Sequence, residues 1–127
     1  MRDEVGRLRH RPDFLRVAGL RHKAVDPGLI LQVGRRSDAG DAQPAIPRVG
    51  FTVTRKVGSA VVRNRARRRL KAAAAAIFPT HALPGLDYVV IGRGATLGRP
   101  FVLLIEDLTT AMRRLNAYRN QSESRTA

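Results

Sequence analysis

The order of segments along the chain predicts an α+β fold. An amphipathic helix is followed by two or three strands, a strongly basic helix, a further strand and a last helix. The 127 residues suffice for one domain with a modest core. Helices placed between strands in this way pack on a sheet. We therefore expect a single domain, residues 1–127, folded as a two-layer sandwich of three to four mainly antiparallel strands with helices near both ends of the chain.

The N-terminal segment is predicted to be an irregular basic arm that leads into a short helix. Residues 1–10 are polar and basic, without an apolar period. Pro12 suits the first turn of a helix, and Asp13 is favourable near its positive end. The helix places Phe14, Val17 and Ala18 on one side, and Gly19 ends it.

Short apolar segments bounded by Gly and Pro predict the strands. Alternation of apolar and polar residues is typical of a half-buried strand, and a Pro-Gly pair marks a turn. These signals predict strands at residues 21–26, 29–35, 48–54 and 87–92, with surface loops at residues 37–47 and 80–86.

Residues 55–71 form the most basic segment of the chain. Eight of these seventeen residues are Arg or Lys, and no acidic residue lies between Asp41 and Asp87. The whole chain carries a formal net charge of +14 and has a pI of about 11.8. A field of one sign on this scale favours a polyanionic partner, because neutralising phosphates releases their counterions.

A helix is predicted from Ser59, its N-cap, to Pro79, which ends it, with Gly58 allowing the turn before it. At about 100° per residue an apolar stripe forms on one side of this helix. Its members are Val62, Ala66, Leu70, Ala73 and Ile77. Six cations between residues 63 and 71 have no counter-charge, and their repulsion costs helix stability. A function explains that pattern better than stability does.

The last helix is predicted to begin at Pro100, and a polar tail at residues 119–127 is expected to be disordered. The helix carries a second apolar stripe, formed by Leu103, Leu104, Leu108, Ala111 and Leu115. This stripe is expected to pack on the sheet.

Catalytic chemistry by the protein is not predicted. The chain has no cysteine and only ten acidic residues, and His10, His22 and His81 lack metal-ligand spacing. We therefore predict no catalytic residue and no protein-held metal. No apolar run is long enough to span a membrane and no signal segment begins the chain, so a cytoplasmic location is expected.

Residues 48–70, RVGFTVTRKVGSAVVRNRARRRL, resemble the signature of the protein subunit of bacterial ribonuclease P. Within it, Arg63-Asn64-Arg65 resembles that family's arginine-rich RNA-binding motif, and weaker similarity extends over residues 7–116. The resemblance implies an α+β fold whose crossover around the basic helix is left-handed. It also implies a catalytic RNA partner, a precursor tRNA substrate and Mg²⁺ held mainly by RNA, with no small-molecule cofactor.

The charge pattern and the resemblance together predict site residues in two groups. RNA-binding residues are expected at Arg55, Lys56, Arg63, Asn64, Arg65, Arg67, Arg68, Arg69 and Lys71. Contacts to the 5′ leader of the substrate are expected from Phe14, Val17 and Gln32. The sequence departs from the family pattern here, since Ala18 replaces a frequent second aromatic and Gln32 a frequent tyrosine.

Three other functions fit parts of the pattern. A ribosomal or other RNA-scaffold protein has the same composition, and only the spacing from Lys56 to Leu70 separates it from the first interpretation. A DNA-binding protein that uses the basic helix would lack a companion helix-turn-helix unit. An autonomous nuclease is disfavoured by the small number of acidic residues.

Overall fold

Five strands and three α-helices follow each other in the computed structural model, which describes residues 4–36 and 46–120. In chain order they are β1 (Gly6–Arg7), α1 (Arg11–Gly19), β2 (Lys23–Val25), β3 (Leu29–Arg35), β4 (Arg48–Thr52), α2 (Ala60–His81), β5 (Leu86–Gly92) and α3 (Phe101–Arg114). Short 3-10 turns lie at Arg55–Val57 and Gly94–Thr96. The predicted α+β class is confirmed, and most of the predicted loop at residues 37–47 lies outside the described residues.

The strands form one mixed sheet in the order β1-β4-β5-β3-β2. β3 runs antiparallel to β2 and β5, whereas β4 runs parallel to both β1 and β5. The sheet thus has more strands than the three to four expected, and half of its pairings are parallel. β4 and β5 are parallel because the 22-residue helix α2 connects them. It returns the chain to the end of the sheet at which β4 began, so β5 runs in the same direction as β4. The predicted strand–helix–strand crossover is therefore present.

Strand β1 lies within the segment that was predicted to be an irregular arm. The Gly6 amide donates to the Pro47 carbonyl at 2.8 Å, and the Leu8 amide donates to the Val49 carbonyl at 2.9 Å. The prediction was wrong at these positions because a two-residue strand is too short to show a periodic pattern. Its partner lies some forty residues further along the chain.

Helices cover both faces of the sheet, so the fold has three layers where two were expected. On one face α2 and α3 bury the main core, whose largest members include Leu29, Leu31, Leu70, Phe78, Tyr88, Leu104, Leu108 and Met112. On the other face α1 buries Val17 against Leu8 and Val89. Because β5 is apolar on both of its faces, the second face also requires a covering helix.

Helix α2 begins as predicted but ends later. The Ser59 hydroxyl accepts a hydrogen bond from the Val62 amide at 3.3 Å, and Gly58 has a φ of +153° that favours glycine. The helix continues past Pro79 to His81, so the predicted end was wrong. Tertiary contacts hold the last turn, because the His81 ring stacks on Tyr118 with ring centroids 4.3 Å apart.

Helix α3 follows Pro100 as predicted and buries most of its apolar stripe. Leu103 is the exception, with 37 % of its surface exposed, because it lies beyond the edge of the face that packs on the sheet. The predicted tail begins with an attached residue: the Arg119 amide donates to the His81 carbonyl at 2.7 Å. Residues 121–127 of that tail lie outside the described residues.

Candidate nucleic-acid interface

The outer side of α2 presents a cluster of cations. Ala66, Leu70 and Ala73 are buried against the sheet, and Arg65 and Arg68 are exposed on the opposite part of the helix. Asn64 and Lys71 are exposed as well, and α2 contains no acidic residue. The helix therefore docks on the core through one side and displays positive charge from the other.

Two of the predicted RNA-binding arginines are held in place by contacts within the chain. Arg63 donates from Nη1 to the Gly58 carbonyl at 2.9 Å, which fixes the turn before α2. Arg67 donates from Nη1 to Oδ1 of Asn64 at 2.9 Å. A guanidinium has five N–H donors, so each arginine keeps donors for an anionic partner. The contacts limit the motion of these side chains and so lower the entropy lost when RNA binds.

Arg69 makes several contacts within the fold, and its assignment as an RNA-binding residue stays a prediction. Its Nε donates to the Thr96 carbonyl at 3.1 Å, and its Nη2 donates to the Arg99 carbonyl. The guanidinium carbon also lies 5.9 Å from the centre of the Phe101 ring. Arg69 thus ties α2 to the segment that leads into α3. The exposed Arg55 and Lys56, in the 3-10 turn before Gly58, extend the cation cluster.

Phe14 lies on the face of the sheet opposite α2, with its ring directly over Gly50. A Cβ atom at Gly50 would lie 2.7 Å from Cε2 of Phe14, so glycine is required for this close approach. The ring is half-buried and borders a cleft of about 300 Å³ that Arg9 and Arg11 also line. Sequence reasoning missed these two arginines, because they lie in the arm and at the helix start, without an apolar period to mark them.

The Phe14 cleft and the cations of α2 meet at the free edge of β4. A smaller cavity of about 110 Å³ is lined by Phe14 and Phe51 together with Arg67 and Lys71. Strand β1 covers only the first part of this edge, since it pairs with Arg48 and Val49. An aromatic surface and a basic surface on opposite faces of the sheet are therefore continuous.

Val17 and Gln32, the two other residues expected to contact the leader, differ in how far they are buried. Val17 is fully buried between α1 and the sheet, so it cannot touch RNA, and its assignment was wrong. The neighbouring Ala18 faces outward instead. Gln32 is half-buried and pairs with Val89, on the face that α1 partly covers. Gln32 therefore stays a candidate, beside α1.

A buried ion network fixes α1, and with it Phe14, on the sheet. The Asp87 carboxylate is fully buried and accepts two hydrogen bonds from Arg48, at 2.7 and 2.8 Å. Arg16 of α1 donates to the same carboxylate and, through Nη1, to the Arg35 carbonyl at 2.5 Å. Asp13 lies 3.3 Å from Arg16. Charge-assisted bonds of this kind are stronger than neutral ones, so the network defines where α1 sits.

The remaining polar groups do not form a metal centre. Within residues 4–36 and 46–120, no three His, Asp or Glu side chains lie close enough together to hold a metal ion. The described helices also include none that is long and apolar enough to cross a membrane.

Comparison with known proteins gives consistent matches. The family model for ribonuclease P matches residues 3–116. The ribonuclease P protein component of Paramagnetospirillum magneticum is 56 % identical over 117 residues, covering 92 % of this chain and 87 % of the relative. That of Gluconacetobacter diazotrophicus is 46 % identical over 114 residues, covering 90 % of this chain and 94 % of the relative.

Solved structures of similar fold point the same way. The Staphylococcus aureus RNase P protein superposes with a TM-score of 0.72 at 19 % identity, covering 91 % of this chain and 99 % of that one. The Thermotoga maritima RNase P protein gives a TM-score of 0.62 at 24 % identity, covering 82 % and 92 %. At such identities these two likenesses establish the fold, and the sequence matches establish the family. The chain belongs to the ribonuclease P protein family, whose members are the protein component of an endoribonuclease that also contains an RNA subunit.

Proposed function

We propose that this protein binds the catalytic RNA subunit through α2 and helps it to remove the 5′ leader from precursor tRNA. The observation that supports this most directly is the continuity of the two surfaces at the edge of β4, where Phe14, Arg67 and Lys71 line one cavity. An RNA strand in the Phe14 cleft would therefore lie directly beside an RNA held by α2.

The exposed cations of α2 are suited to the phosphates of a structured RNA. The planar guanidinium of arginine binds phosphate through two parallel hydrogen bonds, and Arg65 and Arg68 have their side chains open to solvent. Arg55 and Lys56 lie at the N-terminal end of the same surface. This surface is our candidate for the contact with the RNA subunit.

The Phe14 cleft is suited to an unpaired strand. An aromatic ring can stack on any base, and the neighbouring Arg9 and Arg11 supply charge for the phosphates. The leader is the part of precursor tRNA that mature tRNA lacks. We therefore assign the leader to this cleft, with Gln32 as a further contact.

Chemistry in the assembled enzyme is assigned to the RNA. The described residues offer no cluster of ligands for a metal ion, so the magnesium ions are held mainly by RNA in our proposal. The protein contributes charge and position, and no step passes through a protein-bound metal. We place this activity in the cytoplasm.

Replacement of Phe14 by alanine tests the leader assignment. Loss of a stacked aromatic should weaken binding of precursor tRNA to the assembled enzyme by about 1–3 kcal/mol and leave binding of mature tRNA nearly unchanged. The loss should fall at the low end of this range, because Ala18 and Gln32 stand where the resemblance to the family implies aromatic residues, so stacking in this cleft rests on fewer rings. Leu15→Ala is the matched control, since Leu15 is the next residue of α1 and is 57 % exposed.

Both tRNA affinities are measured for each variant, after circular dichroism and thermal melting have established that it is folded. The leader assignment predicts a loss for Phe14→Ala with precursor tRNA only. Equal losses with precursor and mature tRNA would instead make Phe14 a packing residue.

A further inference from the structure

A groove of about 470 Å³ runs between the β1–β4 edge of the sheet and the second half of α2. Its floor is apolar and includes Val49, Phe51 and Phe78, and Val5 and Ala75 form parts of its walls. Its volume lies within the range of small-ligand sites, about 300–1,000 Å³. This groove is separate from the Phe14 cleft, with which it shares Phe51 at the edge of β4.

The helix wall above the groove includes two alanines, Ala74 and Ala75, of which Ala75 is exposed. Residues 72–76 are five consecutive alanines, of which Ala72, Ala75 and Ala76 are exposed. Alanine favours the helix, but Lys, Arg or Glu at exposed positions would favour it almost equally. A long side chain of that kind at Ala75, which lines the groove, would lay its stem over the apolar floor and shield it from water. The sequence instead leaves the floor uncovered.

The charges at the groove indicate what it binds. Arg7 and Lys71 are both exposed and both line it, and its lining contains no acidic residue. The same two cations, with Phe51, also line the small cavity beside Phe14. An apolar floor with cations at the rim suits a flat base and its phosphate, and the shared cations connect the groove to the RNA surface already described.

We propose that the groove receives an unpaired nucleotide of the leader that has passed Phe14 and crossed the edge of β4. Its base packs on the floor around Phe51, and its phosphate lies near Arg7 and Lys71. The lining has no amide or hydroxyl side chain, so the groove accepts any base. The identification of this RNA as the leader rests on the proposed function, whereas the binding of an unpaired nucleotide does not.

Filling the groove tests the proposal. Ala75→Trp places a large side chain on the helix wall, and Ala76→Trp adds the same side chain at an exposed position that does not line the groove. Binding of precursor tRNA to the assembled enzyme is measured as the leader is lengthened one nucleotide at a time. We expect the affinity for precursor tRNA to rise about fivefold or more at the leader length that first reaches the groove. Ala75→Trp should lose this gain and Ala76→Trp should keep it.

A second measurement separates the groove from the leader assignment. Methyl resonances of Val5 and Ala75 in the isolated full chain are followed by NMR while a short oligouridine is added. Shifts at both residues support nucleotide binding in the groove, even if Phe14→Ala fails to distinguish precursor from mature tRNA. The proposal would be overturned if the resonances of Val5 and Ala75 did not shift. It would also be overturned if Ala75→Trp kept the gain in affinity, or if both tryptophan variants lost it equally. Shifts that depend only on protein concentration would assign the groove to a second copy of the chain and would likewise overturn it.

Discussion

Asparagine in place of Asp87 is expected to lower the free energy of unfolding by about 3–5 kcal/mol. The carboxylate is fully buried and accepts hydrogen bonds from Arg48 and Arg16, which lie on different elements of the fold. Asparagine keeps one acceptor oxygen but removes the charge, so two guanidinium groups lose their buried counter-ion and keep only the more exposed Asp13 nearby. Domains of this size have free energies of unfolding of about 5–15 kcal/mol, so the loss is a large share of the total stability.

Asp13→Asn is the matched control for Asp87→Asn. Asp13 lies 3.3 Å from Arg16 and 3.9 Å from Arg48, and its side chain retains access to solvent. Its loss should cost no more than about 1 kcal/mol. Both variants are unfolded in denaturant and compared with the wild type. Equal small losses would show that α1 is held by the apolar contacts of Val17 and Leu8 rather than by the ion network.

Removal of Arg65 and Arg68 is expected to weaken the binding of the RNA subunit and to reduce its salt dependence. Each phosphate contact contributes roughly 0.7–0.9 to the slope of log affinity against log salt, so two alanines should lower it by about 1.5. The fold should not suffer, because alanine favours the helix and the substitutions relieve repulsion between like charges. Affinity is measured over a series of salt concentrations.

The control removes the same charge from another part of the surface. Arg21 and Arg113 are exposed and lie outside α2, so a double alanine variant at these positions changes the net charge equally. Its salt slope should stay close to that of the wild type. If the two double variants lowered the salt slope equally, binding would depend on net charge alone. The assignment of α2 as the interface would then be wrong.

Local signals in the sequence predicted the parts of the fold that local interactions decide. Ser59 and Gly58 mark the start of α2 because an N-cap and a positive φ are properties of those residues themselves. The bounds of β3 were predicted correctly because a Pro-Gly turn precedes it and its alternation is regular. The cation cluster was visible because α2 has no acidic residue.

Long-range contacts decided the features that the sequence could not predict. α2 continues past Pro79 because Tyr118 and Arg119 hold its last turn. Arg69 bonds to the Thr96 carbonyl, 27 positions further along, so nothing local distinguishes it from the arginines beside it. In the nine-residue α1, the sequence could not tell that Val17 faces inward and Ala18 outward.

The candidate site depends on the same kind of contact. Phe14 and the basic helix lie on different elements, and no local signal in the sequence brings them together. They meet at the β4 edge because β1 is short and Gly50 allows the ring to approach the sheet. The ion pair between Arg16 and Asp87, which anchors this arrangement, joins residues 71 positions apart.

Reconstitution with the RNA subunit tests the central claim most directly. The claim is that the protein positions RNA and that the RNA subunit carries out the cleavage. Cleavage of precursor tRNA is measured for protein freed of RNA, for the RNA subunit alone, and for both together, as the magnesium concentration is lowered. The protein alone should be inactive, and its addition should restore cleavage at magnesium concentrations where the RNA subunit alone is slow. Robust cleavage by RNA-free protein, or no effect of the protein at any magnesium concentration, would contradict this.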